Sequence, residues 1–207
     1  MKKVKEVIQA PMGETTVLLH TCCAPCSSAI IEAMMKNGIT PVIYYCNPNI
    51  YPQEEYEIRK NECTRYAQSL GLEIVDADYD HDNWLEAVRG LEDEPERGGR
   101  CLKCFKLRLL RTAQYAAKRG IKVITTTLAS SRWKSLDQIN EAGLWACETI
   151  NKALPADADK AVVWWDRNWR RNGLQERRLQ IIREYDFYNQ LYCGCEFSMR
   201  VIKEEER

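Results

Sequence analysis

The sequence has no surplus of charge of either sign, no long apolar run and no glycine-rich phosphate loop. Lys+Arg and Asp+Glu number 30 each in 207 residues. Net charge therefore selects no partner, and contact with a nucleic acid must come from a local basic patch. No stretch approaches the roughly 20 consecutive apolar residues of a membrane helix, which argues against a membrane-spanning protein. The start, Met1-Lys2-Lys3-Val4-Lys5-Glu6, is charged and no apolar signal segment follows it. Neither G-x-G-x-x-G nor G-x-x-x-x-G-K-[ST] is present. Bulky thiols stand where glycines would let a pyrophosphate approach the first strand-to-helix turn, which argues against a nucleotide bound in the usual way. Internal repeats and low-complexity tracts are also missing.

What is present is an ordinary globular composition, 45% hydrophobic and 29% charged, with 10 cysteines. The length favours one domain over 1–207, with 188–207 as a C-terminal Cys-Gly-Cys segment and tail. Without an export signal the expected location is the cytoplasm, where thiols stay reduced and many cysteines mean metal or redox chemistry rather than a disulfide framework.

Strand and helix patterns alternate. Thr15 to His20, Pro41 to Tyr45, Leu72 to Val75, Lys122 to Thr126 and Ala161 to Trp165 read as short buried strands. Helical patterns follow from Pro25 to Gly38, from Gln53 to Leu70 and around Trp84 to Val88. Further ones run from the Cys101–Cys104 pair to about Arg119, from Leu136 to Lys152 and from Leu174 to Phe187. Leu91 to Gly99, acidic and rich in breakers, reads as an exposed connection, and the tail Lys203 to Arg207 as solvated. The expected fold is α/β: a Rossmann-like, doubly wound, mostly parallel five-stranded sheet with helices on both faces. In such sheets ligands bind beyond the carboxyl ends of the strands. Those ends carry Cys22, Cys23 and Cys26, the loop Asn47 to Pro52, the loop Asp78 to Asp82, the loop Thr125 to Lys134, and Asp166.

Cys22, Cys23 and Cys26 fall within five positions at a helix start, whose free N–H groups and positive end stabilise thiolate. Cys101-Leu102-Lys103-Cys104 opens a second helix. Four thiolates from two helix starts make a tetrathiolate, and zinc and a four-iron cluster fit it equally well. Cys193-Gly194-Cys195 is a third feature. A disulfide between residues two apart would be strained and reducible; unlinked thiols or further metal ligands are the alternative. Cys63 and Cys147 lie at core positions of helices, and Cys46 ends a strand near the expected site. His20, one of 2 histidines, reads as the end of a strand in preference to an orienting group. Trp164-Trp165-Asp166-Arg167-Asn168-Trp169-Arg170-Arg171 mixes arginine with aromatics, a composition suited to phosphates and splayed RNA bases.

Five segments taken together resemble one family. They are His20-Thr21-Cys22-Cys23-Ala24-Pro25-Cys26; Asn47-Pro48-Asn49-Ile50-Tyr51-Pro52 with Glu54, Glu55, Tyr56 and Arg59; Arg100-Cys101-Leu102-Lys103-Cys104; Thr126-Thr127-Leu128 with Ser130 and Lys134; and Tyr192-Cys193-Gly194-Cys195 with Ser198. In this order they resemble the epoxyqueuosine reductases of the QueH type, from about Thr15 to Ser198. Two places depart from that pattern: Tyr188-Asn189-Gln190-Leu191 before the last cysteines, and Arg132-Trp133 where a Ser-Pro-type turn is usual. The resemblance implies reduction of the epoxide of epoxyqueuosine at the wobble position of tRNA, the last step of queuosine biosynthesis, without cobalamin. It implies a [4Fe-4S] cluster on Cys22, Cys23, Cys101 and Cys104, and a redox-active Cys193–Cys195 disulfide supplied by an electron donor protein or another reductant. Cys26 and Cys46 are left as candidates for a second metal. Asp78, Asp80, Asp82 and Tyr51 are candidate acids. The rival readings are a tRNA sulfur transferase, which would need a Ser- and Gly-rich pyrophosphate loop in place of Thr21–Cys26, and a non-catalytic, zinc-stabilised RNA-binding protein.

Overall fold

The apolar runs expected to be buried strands pair side by side. The computed structural model describes residues 7–155, 161–190 and 192–199. Strands β1 (Thr16–Thr21), β2 (Thr40–Tyr45), β3 (Ile74–Asp76), β4 (Val123–Thr126) and β5 (Val163–Trp164) form one sheet in the order β3-β2-β1-β4-β5, with every pairing parallel. β1 lies at the centre, and Val17 to Thr21 are all buried, as a strand covered on both faces requires. The chain leaves β1 towards β2 on one side and returns to β4 on the other. The crevice at this switch is where ligands bind in open parallel sheets. It is bordered by Cys22 and Cys23 after β1 and by Thr127 after β4.

Helices α1 (Ala24–Lys36), α2 (Gln53–Ser69), α3 (His81–Ala87), α4 (Gly99–Arg119), α5 (Leu136–Ala153) and α6 (Leu174–Glu184) complete the fold. Helix α4 packs on α5, and α1 packs on α6 and α2, consistent with two covering layers. In the first turn of α1, Pro25 occupies a position that needs no N–H partner. Gly120 stops α4 in the left-handed conformation at φ 70°. Gly143 of α5 lies flat on β5: a Cβ there would fall 2.2 Å from the Trp164 ring.

Several bounds differ from those expected. β3 begins two residues later than Leu72, α3 begins at His81 rather than near Trp84, and α6 ends at Glu184 rather than Phe187. Asp186 takes a left-handed φ of 48°, which turns the chain so that the Phe187 ring meets Tyr66 edge-on at 5.2 Å. Met1 to Glu6, Leu191 and the tail Lys203 to Arg207 lie outside the described residues.

The tryptophan segment corrects a sequence expectation. Trp164 and Trp165 are each 7% exposed and Trp169 is fully buried, its indole N–H donating to Thr125 Oγ1 at 3.3 Å. These rings are core and cannot stack on RNA bases. Large aromatic area favours burial when the polar N–H finds a partner.

Candidate metal and redox centre

The ten cysteines are free thiols in the structure, and several fall into two neighbouring sets. The first set follows β1. Cys23 is the N-cap of α1 with extended backbone, so Cys22 and Cys26 face the same space from either side of it. The sulfurs of Cys22, Cys23 and Cys26 all lie within 4.8 Å of one another. With thiolate–metal bonds of about 2.3 Å for zinc, one centre could reach all three. Cys26, a candidate ligand for a second metal, is thus part of the thiol group that could hold a single ion among the described residues.

The environment of this set separates charged from neutral sulfur. Cys22 Sγ is pushed well down, chiefly by hydrogen bonds from the Cys23 and Cys26 thiols, against the opposing effect of burial. Thr127 adds a hydroxyl 3.4 Å from Cys22 Sγ, and its oxygen in turn accepts from the Cys22 N–H at 3.2 Å. Burial pushes Cys23 up, and Cys26 is raised to about 12, first through its hydrogen bond with Cys22. A metal entering this group must displace those protons, so its uptake is linked to pH. Gln190 caps the set from the C-terminal segment, its amide nitrogen 2.9 Å from Cys23 Sγ.

The second set borders a pocket of about 480 Å³ of empty space, part of it open to solvent. Cys101 and Cys104 enter from the first two turns of α4, and Cys193 and Cys195 from the C-terminal segment. Burial raises Cys101 and Cys195 to about 11 each, so both hold their protons at neutral pH. Cys195 and Cys104 pack with Trp84, Val88 and Phe197 in a small apolar cluster.

Two cations, buried Arg108 and half-buried Lys134, link the sets. Lys134 Nζ lies 3.2 Å from Cys193 Sγ, and its charge also interacts with Cys22 and Cys26. Burial alone would lower Lys134, but attraction to Cys193 and Cys22 outweighs it and holds the ammonium above its ordinary range. Arg108 donates to the Cys46 carbonyl at 3.1 Å, bonds the Asn47 side-chain oxygen, and lies 3.9 Å from Cys104 Sγ. Cations of this kind offset negative sulfur where water is scarce.

The C-terminal turn is locked by long-range contacts. Arg59, buried in α2 and paired with Glu55 at 2.7 Å, donates to the carbonyls of Cys193 and Tyr192 at 3.3 and 3.2 Å. The Tyr51 N–H donates to the Gly194 carbonyl at 2.8 Å. Gly194 has φ +108°, and a Cβ on it would stand 2.9 Å from Ile50 Cγ1 and 3.1 Å from Arg59 Nη1. Only glycine meets both demands.

The remaining residues named from sequence have simpler places. His20 is fully buried; it pairs with Thr126 Oγ1 at 2.7 Å and the Cys46 carbonyl at 3.0 Å. Desolvation lowers it to about 3, so it stays neutral and ties the ends of β1, β4 and β2 together. Cys46, Cys63 and Cys147 are buried. Tyr51, Asp80 and Asp82 line a separate cleft with Gln53, Tyr79 and His81, not the thiol pocket. Sequence reasoning gave no role to Gln190 and described Lys134 only as part of a motif; nothing in the spacing signals that either reaches a thiol.

A family model described as "Epoxyqueuosine reductase QueH" matches residues 17–201. Among curated relatives, the protein of that name from Histophilus somni is 45% identical over 95% of this chain and 77% of its own. That of Haemophilus influenzae is 44% identical over the same shares, and that of Acinetobacter baylyi 42% identical over 97% and 88%. With nearly the whole length matched, the chain belongs to the epoxyqueuosine reductase QueH family.

Proposed function

We propose that this protein reduces the epoxide of epoxyqueuosine in tRNA to the alkene of queuosine. Two electrons and two protons enter, the oxygen leaves as water, and a cysteine dithiol oxidised to a disulfide supplies both electrons and both protons. The observation that carries this reading is Lys134, a half-buried ammonium 3.2 Å from Cys193 Sγ whose charge also acts on Cys22 and Cys26. It lines the pocket of Cys101, Cys104, Cys193 and Cys195.

The Cys22, Cys23 and Cys26 sulfurs suit a metal centre, and an iron–sulfur cluster is the proposed occupant. Three sulfurs converge, Cys101 and Cys104 stand at the start of α4, and Lys134 and Arg108 offset the charge of the thiolates. Cys22, Cys23, Cys101 and Cys104 would hold a [4Fe-4S] cluster, with Cys26 available to a second metal. When bound, such a cluster supplies single electrons and a Lewis-acidic iron. The chain's own residues do the rest. Cys193 and Cys195 form the redox pair, with Cys195 keeping its proton and Cys193 held by the ammonium. Lys134 presents N–H to the oxygen that leaves, a fixed charge that needs no rearrangement. Trp84 and Phe197 exclude water behind Cys195.

The test is anaerobic purification with iron and sulfide analysis, followed by mass spectrometry of nucleosides from treated tRNA. Loss of one oxygen from epoxyqueuosine, dependent on iron, is the expected result. A colourless zinc protein that leaves the nucleoside intact would overturn the proposal. An electron donor, as a protein or a small reductant, must regenerate the dithiol.

A further inference from the structure

One tryptophan behaves unlike the buried ones. Trp133 is 63% exposed, yet it lines the mouth of the thiol pocket beside Lys134. An indole is a large apolar ring that folding normally covers. Here the backbone holds it outward. Arg97 donates from Nε to the Trp133 carbonyl at 2.9 Å and from Nη2 to the Arg132 carbonyl at 3.0 Å. Arg170 donates to the Lys134 carbonyl at 2.6 Å. Three successive carbonyls of this loop are thus fixed by two guanidinium groups.

Arg97 is itself constrained. It adopts φ 69°, a left-handed backbone that costs a residue with a side chain. Its N–H lies 3.3 Å from Cys101 Sγ, and its carbonyl accepts from Gln138 at 2.8 Å. The indole is therefore referenced to the start of α4 at one remove, and to Cys193 through its neighbour Lys134.

Charge at the mouth is mainly positive, although Glu96 also lines it. The Arg132 guanidinium stands 4.8 Å from the Trp133 ring centre, over one part of an indole whose remaining surface is open. Among the described residues, Arg97, Arg132 and Arg170 form no ion pair with a carboxylate, and Arg170 Nε is buried with no hydrogen-bond partner. Burial and the charge of Arg97 both disfavour the charged form of Arg170. Cations without an ion-pair partner are ready for an anion, and an exposed indole beside them is suited to a base.

We propose that Trp133 is a stacking platform for a nucleobase of the tRNA that flanks the reacting one, with Arg97 and Arg132 facing its phosphates. This rests on the tRNA reading above. Trp133 is a positioning residue: it sets the register of the strand so that the modified base enters the thiol pocket, and takes no part in the bond changes. Stacking on an aromatic ring tolerates any base, so the contact supplies position rather than sequence choice.

The experiment uses reconstituted holoenzyme and an anticodon stem-loop RNA carrying epoxyqueuosine. Binding is followed by anisotropy and by quenching of tryptophan fluorescence, and turnover by nucleoside mass spectrometry. W133A should raise both Kd and KM roughly tenfold with kcat nearly unchanged, W133L should behave like W133A, and W133F should recover most of the loss. R132A should lower the salt dependence of binding by about 0.7 in log–log slope, as for one contact to a single strand. Unchanged Kd and KM in W133A, with active wild type, would overturn the stacking role and leave the reductase reading standing. An inactive wild type that still binds the RNA through Trp133 would overturn the reductase reading and leave the stacking role standing. A defect seen only with a protein reductant, and absent with dithionite, would assign the ring to a protein surface and also overturn the proposal.

Discussion

The two thiol sets are built by different means. Cys22, Cys23 and Cys26 meet because of local backbone: a buried strand ends, Cys23 caps a helix, and three sulfurs fall together within one turn. The other set meets only through tertiary contact. Cys101 and Cys104 come from α4, while Cys193 and Cys195 arrive on a segment held by Arg59, by Tyr51 and by the bare backbone of Gly194. A site made by local geometry persists through small structural damage; one made by docking fails when its anchor does. Docking of the Cys193–Cys195 segment should therefore be separable by mutation from metal binding.

The contrast is tested most severely on the first set. Serine at Cys22, Cys23 and Cys26 together should reduce bound iron to background and abolish turnover, as measured by iron analysis and nucleoside mass spectrometry. Replacing Lys134 with methionine removes the cation between the sets, and turnover should fall roughly a hundredfold, the scale of one lost donor to a developing oxyanion. Retained turnover in K134M would show that neither set needs it.

G194A acts on the Cys193–Cys195 segment alone. The added methyl meets Ile50 and Arg59 on a backbone already at φ +108°. Turnover should drop at least tenfold while iron content stays near wild type, the order expected for lost alignment of a reacting group. Equal loss of both would mean that the sets are one mechanical unit.

A smaller effect concerns the strand ends beneath the first set. His20 is lowered from 6.5 to about 3 because burial disfavours its charged form. Below 6.5 the unfolded chain binds a proton that the folded chain refuses, so this residue's contribution to stability falls with pH until about 3. Between pH 7 and pH 5 the loss is about 2 kcal/mol, an order-of-magnitude figure from linkage. Denaturant unfolding at both pH values, in wild type and H20N, measures it; identical slopes would show that His20 is not the titrating group.

Much of the fold was legible in the sequence. Five apolar runs alternating with helical patterns gave the parallel sheet, because strands buried on both faces advertise themselves. The thiols of both sets were legible for a related reason: clustered cysteines at strand and helix ends are rare unless used. What could not be read was contact between distant residues. Gln190 on Cys23, Arg59 on the Cys193 carbonyl and Lys134 on Cys193 leave no local mark. Tryptophan was misleading in the dense segment and overlooked in the sparse one. Trp164, Trp165 and Trp169 are core, whereas Trp133, alone in a hydroxyl-rich loop, faces solvent. Aromatic composition does not distinguish a ring that is covered from one that waits for a partner.

The account centres on both sets serving one iron–sulfur site, with Cys101 and Cys104 completing the ligands offered by Cys22 and Cys23. Anaerobic iron and acid-labile sulfide analysis of C101S/C104S beside wild type tests this most directly. Wild type should hold iron and sulfide in equimolar amounts and the variant should lose nearly all of both; full retention in a folded variant would contradict a shared site.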